Sequence, residues 1–166
     1  MELNLKENQK AQRRLLATYV NVGESDAPQW EVIGAGVEES TIEYNNEVNS
    51  VTDILGITET DISKNAPKQS LEPFTIRGGS MVHQKLLDIL RRNALSELSL
   101  FEVMVVEGYM GEEGSLAAEV HSGCTIEVES KGGSGSVDMP ISIYFSNNKT
   151  LGTVDGLTKS PTFTPA

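Results

Sequence analysis

Two stretches of the chain alternate between apolar and polar residues, and this period of two limits the fold more than any other feature. In Glu39–Val48, Ile42 and Tyr44 fall on one side and acidic residues on the other; the same period returns at the end of Ala117–Glu129. Such alternation is typical of a strand with one buried and one solvated face. Leu98–Val106 is almost continuously apolar, which indicates a strand buried on both faces. We therefore expect a mainly β fold.

One block has the period of a helix instead. Ser80 is a good N-cap, Arg91 and Arg92 complement the helix dipole at the far end, and Asn93 can end the helix. With roughly seven or eight short strands elsewhere, the pattern predicts a single domain over residues 1–166, an antiparallel β-sandwich or barrel with one flanking helix. The helix positions expected in the core are Val82, Leu86, Ile89 and Leu90.

Charge and length exclude several classes of protein. The chain has 166 residues, a net charge of −11 and one cysteine. So acidic a chain lacks the Lys and Arg that conventional nucleic-acid binders place at phosphates. One cysteine forms neither an internal disulfide nor a Cys-rich zinc site. No run of ~18 apolar residues predicts membrane insertion, and the N-terminus lacks the pattern of a secretory signal.

Residues with catalytic or metal-binding potential are few and scattered. His83 and His121 are far apart in the sequence, and no acidic cluster has the spacing of a metal loop. Gly132–Gly135 lacks the Lys-Ser/Thr ending of a phosphate loop. Cys124 is expected to pack in the core, with pairing to His121 in space as the alternative. The sequence predicts no catalytic residue, no metal site and no cofactor, and an acid-rich enzyme stays open as an alternative.

A long Thr- and Ile-rich segment follows the first alternating stretch. Val51–Ile62 is predicted to return along Glu39–Val48 as a hairpin with arms of about ten residues, where strands usually have ~5–6. Such a hairpin would project from the body and need a partner to cover it. The alternative is that Ile54–Ile57 lies in an ordinary half-buried strand. Together with extended ends and acidic strand faces, the hairpin indicates a self-assembling subunit whose sheet edges pair across copies.

A series of motifs covers most of the chain. It contains, in order, RLLATYV (14–20), Trp30 with Gly34–Val37, EESTIEYNNEVNSVTDILGITETDIS (38–63), QSLEPFTIRGG (69–79), RRNALSEL (91–98), GGSGSVDMPISIYF (132–145) and LGTVDG (151–156). In these stretches the sequence resembles the tail tube (major tail) proteins of long-tailed bacteriophages, especially those that infect Gram-positive hosts.

The resemblance implies a β-sandwich with one flanking helix whose copies form hexameric rings. Inner sheets would join into a closed barrel around a lumen, and rings would stack into a tube that is not catalytic. Segment 46–68 would be the inter-ring hairpin, residues 1–12 an N-terminal arm and 157–166 an extended C-terminal tail. The inter-ring contacts would be Val51, Ile54, Leu55 and Ile57.

The resemblance also implies partners and a location. The tube would hold the tape measure protein during assembly, meet tail terminator and distal tail or baseplate proteins, and conduct double-stranded DNA without binding it specifically. The protein would lie in the virion tail, and in the host cytoplasm during assembly. The same fold serves inner tubes of contractile tails and bacteriocin-like injection particles, which stay open as alternatives.

The acidic composition suits a conduit for DNA. A wall of carboxylates removes the counterion release that drives DNA binding and repels the duplex instead. Screening limits this repulsion to ~8 Å at physiological salt, so it acts only near contact. From the alternation, the residues expected to face the lumen are Glu39, Glu43, Glu127 and Glu129.

A carbohydrate- or receptor-binding sandwich is the alternative from another functional class. Such a module would need exposed aromatic side chains, and aromatic residues make up 5% of this chain. The only tryptophan, Trp30, lies in an apolar stretch, which does not favour this alternative.

Overall fold

The computed structural model describes residues 1–166 as a chain dominated by β-strands. It has eleven strands, one α-helix and two short 3-10 helices, at Arg13–Leu15 and Leu95–Ser99. The bounds are β1 Leu16–Asn21, β2 Trp30–Ile33, β3 Ile42–Glu43, β4 Glu47–Thr52, β5 Thr58–Lys64, β6 Lys68–Leu71, α1 Met81–Arg92, β7 Phe101–Glu112, β8 Ser115–Val128, β9 Ile141–Tyr144, β10 Lys149–Val154 and β11 Phe163–Pro165.

Nine strands form one antiparallel sheet that curls into a half-barrel. Its order is β2-β1-β7-β8-β9-β6-β3, with β10 beside β8 and β11 beside β10. The long strand β8 organises the curl, because its first half pairs with β10 and its second half with β9 while β7 pairs along its other edge. The predicted mainly β fold with one flanking helix is confirmed.

Strand β7 is buried on both faces, as its apolar sequence predicts. Val103 and Val105 belong to a cluster of 15 buried residues on the helix side of the sheet. Met104 and Val106 belong to a second cluster of 7 buried residues on the opposite side. Because side chains alternate along a strand, one apolar run supplies two cores.

Helix α1 packs on the first of these cores. Val82, Leu86 and Ile89 are buried, and Leu90 is half-buried against the same cluster. A buried leucine of this kind contributes about 1.5–3 kcal/mol through removal of its surface from water. The helix therefore closes the half-barrel on one flank.

The helix begins and ends at the residues that the sequence predicts. The hydroxyl of Ser80 accepts a hydrogen bond from the backbone N–H of His83 at 3.3 Å and donates one to Glu31 at 2.9 Å. Glu31 also accepts from the backbone N–H of Met81, so that a carboxylate lies at the positive end of the helix dipole. Asn93 ends the helix with φ 54°, a left-handed conformation that asparagine tolerates well.

The hairpin differs from its predicted arms. Its strands are β4 and β5, joined by a turn over residues 53–57, and they form a separate two-stranded sheet. Glu39–Val48 is not one arm, because strand β3 covers only two residues and Asn45, with φ 49°, breaks the extended chain before β4 begins. Ile54–Ile57 lies at the tip in solvent, so the half-buried strand is also wrong.

Both chain ends pack against other parts of the same chain. Leu3 forms a β-bridge with Met110 at the end of β7. At the other end β11 pairs with β10, and the Tyr19 hydroxyl donates a hydrogen bond to the Thr158 carbonyl at 2.7 Å. Phe163 packs on the second core. These contacts cover strand edges and apolar surface that would otherwise be exposed.

Candidate functional site

A polar sheet face carries three of the four predicted lumen carboxylates. Strands β8, β9, β6 and β3 bring Thr125, Tyr144, Lys68 and Glu43 into one cross-strand row. Register partners share a face of a sheet, so all four side chains lie on the side away from the core. Glu127, two residues after Thr125, lies on this side as well, and Glu43 and Glu127 are exposed.

Hydrogen bonds hold two of the three carboxylates of this face in place. The Tyr144 hydroxyl donates to Glu127 at 2.9 Å, and the Ser142 hydroxyl donates to Glu129 at 2.6 Å. Lys68 carries the one ammonium group on the face, and its Nζ atom lies 5.2 Å from the centre of the Tyr144 ring. We call this surface the acidic face; it consists of Glu43, Lys68, Ser70, Thr125, Glu127, Glu129, Ser142 and Tyr144.

Glu39 lies outside the acidic face. It is exposed in the loop that precedes β3, where no strand alternation applies. The next residue anchors this loop, since the Ser40 hydroxyl donates to the carbonyl of Ser70 at 2.8 Å. The sequence analysis also missed Lys68, Ser142 and Tyr144, although the alternation of Ile141 and Ile143 with Ser142 and Tyr144 was a signal for the last two.

The hairpin formed by β4 and β5 is exposed along its whole length. Its two faces differ in charge. One carries three uncharged cross-strand pairs, Val48 with Ile62, Ser50 with Thr60 and Thr52 with Thr58, and the hydroxyls of the last two pairs are 2.9 Å apart. The other carries Asn49, Val51, Glu59 and Asp61. Burial of the uncharged face would cost less free energy, because its hydroxyls already bond each other and it holds no charge.

The hairpin tip presents apolar side chains on a well-defined turn. Asp53 accepts hydrogen bonds from the backbone N–H groups of Leu55 and Ile57 at 2.9 and 3.0 Å. Gly56 has φ 78°, which a side chain would strain. Ile54 and Leu55 project from this turn with 102% and 78% of their surface exposed. Of the predicted inter-ring residues, Ile54, Leu55 and Ile57 belong to the turn and Val51 to the acidic side of β4.

A cavity of about 530 Å³ opens at the hairpin base, inside the curl of the sheet. Its apolar part is lined by Leu16, Ile42, Pro67, Val105 and Phe145, and its polar part includes Arg13, Tyr44, Asn65, Glu107, Tyr109, Glu119, His121 and Lys149. We call it the base cavity. None of the sequence patterns indicates it, because its lining comes from strands that are distant in the chain.

The carboxylates of the base cavity already have partners. Glu119 accepts from His121 Nε2 at 3.1 Å and pairs with Lys149 at 3.3 Å. The bond from His121 holds the pKa of Glu119 below its usual range, against the effect of burial. Glu107 accepts from the hydroxyl of Tyr109 at 2.9 Å, and burial followed by that bond raises the pKa of Tyr109 to about 12.

The histidines and the cysteine do not form a catalytic pair. Burial raises the pKa of the Cys124 thiol, which disfavours a reactive thiolate. The thiol faces the carbonyl of His121 at 3.4 Å, while the ring of that histidine bonds Ser146 and Glu119. No group of three or more metal-binding side chains is present. No helix has both the length and the apolar character needed to cross a bilayer.

No family model and no curated protein matches the sequence. Solved structures with a similar fold are known. The sheath/tube terminator of the PVC extracellular contractile injection system superposes with a TM-score of 0.52 and 9% identity, over 87% of this chain and 97% of that one. The tube-terminating cap of the anti-feeding prophage, AFP, superposes with a TM-score of 0.51 and 11% identity, over 90% and 95%. The chain therefore shares the fold of tube-terminating proteins of phage-tail-like particles.

Proposed function

We propose that this chain is a non-catalytic structural subunit of a phage-tail-like particle, and that its copies form stacked hexameric rings around a bore lined by the acidic face. The main observation that supports the proposal is the acidic face. It is a continuous four-strand surface whose reverse side is core, and its carboxylates Glu43 and Glu127 are exposed. The shared fold with tube-terminating proteins supports the same role.

The electrostatics of this face suit a channel for double-stranded DNA. The acidic face holds three carboxylates, Glu43, Glu127 and Glu129, and one ammonium, Lys68. Each subunit of a ring would repeat this excess of negative charge. A duplex near such a wall finds few cations to displace its counterions and is repelled at close range. DNA would pass without adhering.

The hairpin would join one ring to the next. Val51, Ile54, Leu55 and Ile57 are exposed in the subunit, and an isolated two-stranded hairpin is marginal in water. Contact with another copy would bury these side chains. The tape measure protein, a terminator, and distal tail or baseplate proteins are the further partners we expect, in a virion tail that assembles in the host cytoplasm.

Electron microscopy of the purified chain, combined with size-exclusion chromatography, tests this function. We expect rings or tubes from the natural chain, and no tubes, only rings or folded monomers, from a chain carrying Ile54→Asp and Leu55→Asp. A chain carrying Ser134→Asp and Gly135→Asp in an exposed loop gains the same two charges and should assemble normally. Persistent monomers of the natural chain at high concentration would contradict the proposal.

A tube-terminating cap is a second candidate, favoured by the fold shared with the PVC terminator and the AFP cap. A tube protein adds rings to itself, whereas a cap closes a tube and stops. Single rings that bind the end of a tube made of another protein would indicate the cap, and long tubes of this chain alone would indicate the tube subunit. A carbohydrate-binding role has less support, because Trp30 is 5% exposed and packs in the second core.

A further inference from the structure

We propose that the hairpin tip of one copy docks in the base cavity of a second copy, with Ile54 and Leu55 inserted between the apolar walls of that cavity. The inference rests on the proposed function, since it names the receiving surface for the hairpin in the assembly. It follows from four observations about the tip, the cavity, their charges and the distance between them.

The tip is prepared for docking before any contact is made. Asp53 fixes the turn through two backbone hydrogen bonds, and a third joins its own N–H to the carbonyl of Ile57 at 2.9 Å. Ile54 and Leu55 are held outward on a turn that loses little freedom when it binds. Two adjacent exposed aliphatic side chains on an ordered projection are the kind of anchor that fills a pocket at an interface.

The base cavity has room and chemistry for such an anchor. Its volume of about 530 Å³ lies within the range of pockets that enclose ligands. Leu16, Ile42, Val105 and Phe145 supply apolar walls, and Tyr44, 56% exposed, stands at its mouth. Burial of two aliphatic side chains against these walls would remove apolar surface of both copies from water.

Arg13 gives the cavity one cation that can pair with the acidic residues of the hairpin. Asp53 lies in the turn that carries the apolar pair, and Glu59 lies on the adjoining strand. Arg13 lines the cavity and binds only the carbonyls of Leu16 and Ser40, so no carboxylate neutralises it. The cavity carboxylates Glu107 and Glu119 are bonded within the subunit.

Geometry excludes the hairpin's own cavity. The six residues of β4 span about 20 Å at the rise of a strand, and Tyr44, Asn65 and Pro67 place the cavity at the opposite end of the hairpin from its tip. The occupant is therefore a tip from another copy. In a ring or a stack each copy gives its tip to one neighbour and receives a tip from another, so the contact there is heterologous.

Disulfide cross-linking tests this contact in the assembled chain. Leu55→Cys combined with Tyr44→Cys should give covalent multimers under mild oxidation, while each single variant stays monomeric on denaturing gels. The native Cys124 is fully buried and should not interfere. Leu55→Cys combined with Leu95→Cys, an exposed leucine of the second 3-10 helix that does not line the cavity, should give no multimers.

A charge exchange gives a second, independent readout. Glu59→Lys and Arg13→Glu should each raise the concentration needed for assembly about tenfold, and the double variant should return it toward that of the natural chain. Normal rings or tubes that lack both the cross-link and the recovery would overturn this inference while leaving the proposed function intact. Absence of any assembly by the natural chain would overturn the two together.

Discussion

The side-chain hydroxyl of Thr18 on β1 donates a hydrogen bond to the side-chain carbonyl of Gln69 on β6 at 2.9 Å, and both residues are buried. Strands β7, β8 and β9 lie between them in the sheet. In a flat sheet these two strands would be about 19 Å apart. The bond therefore crosses the inside of the half-barrel and ties its two sides together. Gln69 continues the link by donating to the Ser40 hydroxyl at 3.1 Å.

Loss of this bond should weaken the fold measurably. Thr18→Val keeps the shape of the side chain but leaves the buried Gln69 carbonyl without its donor, so we expect the free energy of unfolding to fall by about 1–3 kcal/mol. Urea denaturation followed by circular dichroism measures the change. Thr150→Val makes the same replacement at an exposed position and should have little effect. Equal values for the two variants would show that the bond does not stabilise the curl.

Local patterns predicted the elements whose neighbours along the chain decide their structure. The cap at Ser80 and the left-handed end at Asn93 follow from residue type, and α1 begins and ends there. The apolar run of β7 predicted a strand buried on both faces, and the alternation at Ile126 and Val128 predicted one buried face. Both predictions depend only on packing against the sheet, which buries a long central strand whatever the topology. These are also the parts that position Glu127 and Glu129.

Long-range geometry accounts for the parts that the sequence did not predict. Ile54 and Leu55 lie at the hairpin tip rather than in a strand. The backbone N–H groups of Leu55 and Ile57 bond the Asp53 side chain, and such bonds compete with strand pairing. The Thr18–Gln69 bond joins residues 51 positions apart, and no local period reveals such a pair. The base cavity exists only because the curl brings distant strands together.

Protonation of His83 should destabilise the subunit in mild acid. Its ring is buried against Phe74, at 4.3 Å between ring centres, and neither ring nitrogen has a hydrogen-bond partner. Burial lowers the pKa of His83 below 6.5 and Arg77 acts in the same direction, whereas the backbone of Phe74 and the charge of Glu31 oppose the shift. In the unfolded chain the residue gains its proton first, so stability is greatest above pH 6.5 and falls as the pH drops below that value.

The His83→Phe variant isolates this contribution. The natural chain should lose free energy of unfolding between about pH 6.5 and 5, and the variant should lose less over the same interval. Urea denaturation at several pH values gives both slopes. Only the change of the free energy of unfolding with pH reports on the proton. A constant difference in stability between the two proteins therefore does not affect the result. Parallel slopes would mean that His83 titrates alike in the folded and unfolded chains.

Loosening the hairpin tip should impair assembly without weakening the domain. Asp53→Ala removes the acceptor of two turn hydrogen bonds in a segment that is entirely exposed. We expect the free energy of unfolding to change by no more than about 0.5 kcal/mol, since surface changes of this kind rarely do more. The concentration needed for ring or tube formation should rise, because the tip must then be ordered on binding.

Asp61→Ala is the matched control for this change. It removes the same charge from the arm of the hairpin, where the carboxylate takes part in no hydrogen bond or ion pair. Analytical ultracentrifugation of both variants measures assembly, and hydrogen exchange over residues 47–64 measures order in the hairpin. Equal assembly by the two variants would attribute any effect to charge rather than to the turn.

If the acidic face lines a bore, as we propose, reversal of its charge should make the assembly retain DNA. Glu127→Lys with Glu129→Lys places two ammonium groups on the surface that we assign to the bore, and each phosphate contact contributes a slope of about −0.9 in the dependence of log affinity on log salt. We expect assemblies of this variant to retain short duplex DNA at low salt and to release it as salt rises, whereas assemblies of the natural chain should retain none. Fluorescence anisotropy with labelled duplex measures retention.

Position, rather than net charge, should decide this result. Glu112→Lys with Glu113→Lys gives the same net charge at exposed residues of the β7–β8 turn, away from the acidic face. If the acidic face lines the bore, a duplex short enough to enter an assembly meets repeated ammonium groups on all sides in the first variant and only scattered ones in the second. Retention should therefore be stronger, and its salt slope steeper, for the Glu127/Glu129 variant. Equal retention by both would place the acidic face outside the bore.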